Sequence, residues 1–151
     1  PRGETPILRH CCNWPKLSAI SAVTSTSRLY CQLVKSTIKS REVLRFVRHL
    51  LHHIPGPIFL FWDGNGPHRS AATQQALRDL APRLTVYRLP PYAPELNPDE
   101  WVWGYLKNHA LNGYCPRNID ALIRTIRQKV RGMQRRPELI QSFFQACSLS
   151  F

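Results

Sequence analysis

Residues 58–62 read Ile-Phe-Leu-Phe-Trp, an unbroken apolar run held between Pro55-Gly56-Pro57 and Asp63-Gly64. A run so short and so apolar, stopped at both ends by turn formers, is predicted to be a strand buried on both faces. Such a strand requires a sheet with helices covering it. The same boundary sets a carboxylate, Asp63, at the strand's C-terminal end.

The flanking sequence supplies the rest of an α/β pattern. Residues 17–24 (LSAISAVT) and 29–34 (LYCQLV) are β-prone runs separated by four turn residues, which predicts a hairpin. Ser40 reads as the N-cap of an amphipathic helix whose apolar positions Val43, Phe46, Val47, Leu50 and Leu51 recur at helical spacing until Pro55. Residues 69–81 form a second helical pattern and residues 84–89 another strand. Strands alternating with helices imply parallel pairing through a crossover. A stiff loop over 90–98 then leads to a helix with Asn97 as cap, Pro98 at its first position and Glu100 in its first turn. Two more helices are predicted near 118–131 and 137–147, while residues 1–16, with Thr5-Pro6 and Trp14-Pro15, read as an extended entry.

One domain of 151 residues is expected, large enough for its own core. With 43% hydrophobic and 20% charged residues, composition gives no reason to read disorder. Charge is more telling: 21 Lys and Arg against nine Asp and Glu give a net +12. A polyanion is the expected partner, and nucleic acid is the commonest, because each phosphate neutralised by Lys or Arg releases a counterion. A membrane is the weaker alternative, since no segment is apolar for long enough to span one. Five cysteines, an odd number with no Cys-x-x-Cys pair, indicate neither a zinc ribbon nor a disulfide framework. No signal-like start is present, so a reducing cytoplasm is the expected location, with nucleoid association if the source is bacterial. The start at Pro1 rather than Met suggests a chain that begins inside a longer reading frame.

Phosphoryl transfer on DNA commonly uses two divalent cations about 3.5–4 Å apart, and such hard ions need carboxylate oxygens. Asp63 at a strand end and Glu100 in the first turn of a helix after the neighbouring strand are brought to one sheet edge by this topology. The residues around them carry a resemblance. Phe61-Trp62-Asp63-Gly64-Asn65-Gly66-Pro67-His68-Arg69-Ser70, followed by Leu89-Pro90-Pro91-Tyr92-Ala93-Pro94-Glu95-Leu96-Asn97-Pro98-Asp99-Glu100, resembles the catalytic core of IS630 and Tc1/mariner type DDE transposases. Trp103 and Lys107 continue the motif, and the 36 residues between Asp63 and Glu100 agree with the family's spacing. His68 matches the histidine usual after the second aspartate, although Gly64 stands where many members have Asn. Upstream, Pro1-Arg2-Gly3-Glu4-Thr5-Pro6 is similar to the segment after the first catalytic strand.

The resemblance implies a ribonuclease-H-like fold, a mixed sheet flanked by helices, over residues 1–151. It implies that Asp63 is the second metal-binding aspartate and Glu100 the third acid, holding Mg²⁺ or Mn²⁺, two ions in the intact enzyme. It further implies an upstream helix-turn-helix DNA-binding region, a homodimer on transposon ends, and metal-dependent DNA cleavage and strand transfer. The first aspartate is not found: before Asp63 the only acids are Glu4, in a Pro/Gly-rich entry, and Glu42, in a helix first turn where the dipole explains it. That aspartate would lie upstream of Pro1 on the central strand, leaving this chain without one ligand and one core strand, and inactive alone.

Simpler explanations stand beside these. Asp-Gly is a common turn pair, and Asp99 and Glu100 both suit a helix start. His68 has the option of a loop hydrogen bond, and Asn97 is more simply a cap than a DNA contact. Trp101, Trp103 and Tyr105 read as packing residues, and His49, His52 and His53 as polar groups at a helix end. Arg69, Lys107, Arg124, Arg127 and Arg131 are candidate phosphate contacts, but basic residues on a helix are as readily a solvated face. Two other functions remain open: a ribonuclease-H-like nuclease or resolvase that cuts without joining, and a non-catalytic DNA-binding remnant of a decayed element.

Overall fold

The computed structural model describes residues 16–63, 66 and 70–147. Its first strands, β1 (Ser18–Val23) and β2 (Leu29–Val34), pair antiparallel with Ser18 opposite Val34 and Val23 opposite Leu29. The turn between them carries the one sharp bend the hairpin needs, at Ser27 with φ +59. Helix α1 (Ser40–His53) follows. Its N-cap is Lys39 and not Ser40, and the carboxylate of Glu42 accepts from the Lys39 N–H at 3.1 Å. The Ser40 hydroxyl is instead 2.7 Å from that of Ser70, the N-cap of α2 (Ala71–Arg78). A hydroxyl bond between two helix starts has taken the place of the expected local cap.

Strand β3 (Ile58–Trp62) runs parallel to β4 (Leu84–Arg88), with Ile58 opposite Leu84 and Trp62 opposite Arg88. The crossover through α2 accounts for the parallel sense. Gly56 makes the turn into β3 with φ +79, a conformation costly for any residue with a Cβ. The Arg83 guanidinium fixes that turn by donating to the carbonyls of Leu51, Ile54 and Gly56 at 3.0–3.2 Å, a cation at the negative end of α1.

One expectation for β3 is corrected. Ile58, Leu60 and Trp62 turn toward the core, but Phe59 is 62% and Phe61 42% exposed; Phe61 stacks on Tyr87 and Phe59 lies tilted beside the same ring. Only one face is covered by α1 and α2; among the described residues nothing buries the other.

Helix α3 (Pro98–Tyr105) passes into a π-turn (Leu106–Ala110) and is followed by α4 (Ile119–Gln134) and α5 (Pro137–Ala146). Two apolar clusters result. Val102, Leu106, Ile126, Val130, Ile140 and Phe143 pack with Leu29 behind β1 and β2. Val43, Val47, Trp62, Leu77 and Leu84 pack behind β3 and β4. The mixed α/β class expected from the sequence is thus present. Among the described residues, however, the strands form two two-stranded sheets that no further strand joins.

Candidate functional site

The Trp62 carbonyl accepts from the Leu89 N–H at 2.9 Å, so pairing of β3 with β4 continues to the residue just before Asp63. The acid therefore leaves from a fixed backbone. Across the proline loop, the side-chain oxygen of Asn97 accepts from the Asp99 N–H at 3.1 Å, and the Asn97 carbonyl accepts from the Glu100 N–H at 3.1 Å. Asn97 is a cap, as its position before Pro98 suggested, and it fixes Glu100 as the third residue of α3. Asp63, Asn97, Asp99 and Glu100 all line one cleft of about 1050 Å³ between the two sheets.

Asp99 is the residue that sequence reasoning underrated. The Ser21 hydroxyl of β1 lies 2.7 and 2.8 Å from its two oxygens, and the Trp103 indole N–H donates to it at 3.0 Å. Burial pushes its carboxyl up to about 6; Glu100 and Asp63 push the same way, while the bonds from Ser21 and Trp103 pull it down. The i, i+4 spacing of Asp99 and Trp103 was a legible signal; Ser21, 78 positions away, was not. Burial and the Asp99 charge also push the Cys31 thiol up to about 12, which leaves it protonated and unreactive.

Asp63 and Glu100 are hard oxygen donors of the kind divalent cations take, and gathering carboxylates in one cleft favours a neutralising cation. The donor chemistry fits such an ion, but the donor number is short. Among the described residues no three His, Cys, Asp or Glu side chains come together as a metal-holding group. Asp99, engaged by Ser21 and Trp103, is not spare.

His68 and Arg69 lie outside the described residues, as do Glu4 and the upstream segment similar to the family. Lys107 is exposed on the π-turn, and Arg124, Arg127 and Arg131 are exposed on α4. His49, His52 and His53 crowd the end of α1, with ring centroids 4.1 Å apart for His49 and His53. Burial first, then His53 and His52, hold His49 below the usual imidazole range. Trp103 and Tyr105 pack against the α3/α4/α5 cluster as expected. Trp101 does not; it is 46% exposed. Among the described residues no helix is long and apolar enough to cross a membrane.

These features define a mixed α/β domain with acids from a strand end and a helix start on one cleft. The chain belongs to the DDE superfamily endonuclease family, whose model matches residues 1–123. Its fold is similar to that of the Mos1 mariner paired-end complex with Mn, at a TM-score of 0.68 and 16% identity over 98% of this chain and 48% of that one. The catalytic domain of Mos1 mariner transposase matches with TM-score 0.61 and 16% identity over 91% of this chain and 78% of that one. A chain of the simian T-cell lymphotropic virus intasome in complex with PP2A regulatory subunit B56 gamma matches with TM-score 0.55 and 22% identity, over 72% of this chain and 40% of that one. At these identities the likeness is one of fold. This chain spans less than half the length of the intasome and paired-end chains. No curated protein matches the sequence.

Proposed function

We propose that this chain is the C-terminal part of the catalytic domain of an insertion-sequence transposase, in which Asp63 and Glu100 are two of three acids holding Mg²⁺ or Mn²⁺. Two bound cations would activate an attacking oxygen and stabilise the leaving oxygen of a phosphodiester. The chain's own residues set where that happens. Pairing of β3 with β4 holds Asp63, the Asn97 cap holds Glu100, and the Ser21–Asp99–Trp103 contacts tie the first turn of α3 to β1. Transposon ends and target DNA are the substrates, a homodimer is the working form, and the first aspartate comes from an upstream strand of a longer protein.

The observation that carries this reading is the shared cleft of Asp63 and Glu100, supported by membership of the endonuclease family. With two acids of three, the 151-residue chain should not nick DNA, whereas the full reading frame should cleave and join transposon-end DNA with Mg²⁺ or Mn²⁺. Asp63→Asn or Glu100→Gln in the full protein should lower that activity by at least about 10³-fold, the scale of losing a group that acts only in the transition state. Full activity in either variant would overturn the assignment, and metal-dependent nicking by the 151-residue chain, lost in Asp63→Ala, would overturn its inactivity. A second reading, a DNA-binding remnant without catalysis, is favoured by the short donor count among the described residues and predicts a full reading frame that binds DNA yet never cuts.

A further inference from the structure

Helix α3 and the π-turn after it bury one side and display the other. Val102 and Leu106 are buried, and Trp103 and Tyr105 pack against the cluster shared with α4 and α5. At about 100° per residue, Glu100, Trp101, Gly104, Lys107 and Asn108 fall on the opposite side. All of these are exposed except Gly104, which is half-buried. Trp101, which the sequence suggested would pack, therefore stands on one open strip with the candidate acid Glu100.

Two features separate Trp101 from a stray surface ring. Trp103, two residues on, packs inward and donates its indole N–H to Asp99 at 3.0 Å, whereas Trp101 leaves 46% of its surface open. Gly104, one turn beyond Trp101, lies within α3, and a methyl group there would meet nothing within 4 Å. Glycine is a poor helix former, and among the described residues neither a turn nor a close contact requires it at this position. Its effect is an open notch on the strip between the indole and Lys107. Trp101 and Lys107 are six residues apart, about 9 Å along the axis, which is two to three steps of a nucleotide strand at about 3.4 Å each. An aromatic ring takes up the π-face of any base, and the net charge of +12 with an exposed lysine on the same strip favours a polyanion as the source of that flat ligand.

We propose that Trp101 and Gly104 form a base seat on the outer side of α3: the indole stacks on one unpaired nucleobase of a DNA strand whose phosphodiester lies at Glu100, and the notch at Gly104 admits that base against the helix. This deepens the proposed function, on which it rests for the kind of polymer and for the acid beside the seat. The seat reads no sequence, since every base has a π-face; it selects strands whose bases are free to leave their neighbours.

The test reads fluorescence anisotropy of a labelled short oligothymidylate, and of a strand of equal length and charge made of abasic residues, with the 151-residue chain in EDTA. The thymidylate should bind at least about fivefold more tightly, the lower end of what stacking one base contributes. Trp101→Leu should remove that difference and leave abasic binding unchanged, and Trp101→Phe should keep most of it. Annealing the thymidylate to its complement should erase the effect of Trp101→Leu, because paired bases stay stacked on one another. Gly104→Leu should lose the base preference too, with a urea midpoint at or above the parent's, a combination that a merely structural glycine would not give. Equal binding of both strands by the parent, or of neither, would mean that there is no base seat. A preference that survives Trp101→Leu or Gly104→Leu would put the base elsewhere, and an equal loss on the abasic strand would make Trp101 a structural residue; each of these results overturns the proposal. The metal reading is scored apart from it: added Mg²⁺ should tighten binding of both strands to the parent but not to Glu100→Gln, and a parent blind to Mg²⁺ with the Trp101 effect intact would sink that reading alone.

Discussion

Asp99 shows how a position that looks interchangeable with its neighbour acquires a separate task. Glu100 is exposed at the third position of α3, whereas Asp99, one residue earlier, points back to Ser21 and Trp103. Folding moves its carboxyl from an ordinary 3.8 to about 6, so between those values the folded chain binds more protons than the unfolded one. Stability from this group is therefore greatest below that window and is lost as pH rises through it, by on the order of 3 kcal/mol in total. Asp99→Asn keeps an acceptor for one of the two donors but cannot titrate. In metal-free buffer, the urea midpoint of the parent should fall relative to that of Asp99→Asn between pH 4 and pH 7; parallel profiles would show that the carboxyl is not strained by burial. The sequence made Asp63 and Glu100 visible because each sits in local grammar, a strand end and a capped helix start. It hid the Ser21 contact because nothing local links residues 78 apart.

Elements were legible where one face had to be buried. The helix expected near 118–131 is α4, which buries Ile123, Ile126 and Val130 and runs three residues past 131, to Gln134, because Met133 extends the same stripe. Its start is set by Asn118, whose side-chain oxygen accepts from the Ala121 N–H at 2.8 Å. Asn118→Ala should cost about 1 kcal/mol and Asn118→Gly only a few tenths, as read by chemical denaturation. An alanine variant no less stable than the glycine one would show the cap to be idle. For β3 the pattern misled. A wholly apolar run implies cover on both faces, yet Phe59 and Phe61 stand exposed, because the pattern reports what a strand needs and not which partners the described residues supply. The Ser40 expectation failed for a related reason: its hydroxyl found Ser70, a tertiary partner, and left the cap to Lys39.

At the scale of the whole molecule, composition announced a polyanion partner, and the fold says where its charge is displayed. Arg124, Arg127 and Arg131 share one face of α4 by their three- and four-residue spacing, all exposed, while Ile123, Ile126 and Val130 turn inward. At the start of that helix Lys35 pairs with Asp120 at 2.6 Å, an exposed contact that neutralises the nearest acid. If this face lies on duplex DNA, each arginine replaces about one condensed counterion, and the slope of log affinity against log salt gains about 0.9 per phosphate. The triple variant Arg124→Ala, Arg127→Ala, Arg131→Ala should therefore flatten that slope by about 2.7, weakening binding to all sequences alike, because phosphate contacts carry no base information. Asp63→Asn and Glu100→Gln should not weaken it, since they remove negative charge. Fluorescence anisotropy of a labelled duplex from 50 to 300 mM salt reads both effects. An unchanged slope in the triple variant would make the α4 face a solvated one and move the search for the DNA path to Lys107 and the basic residues beyond it.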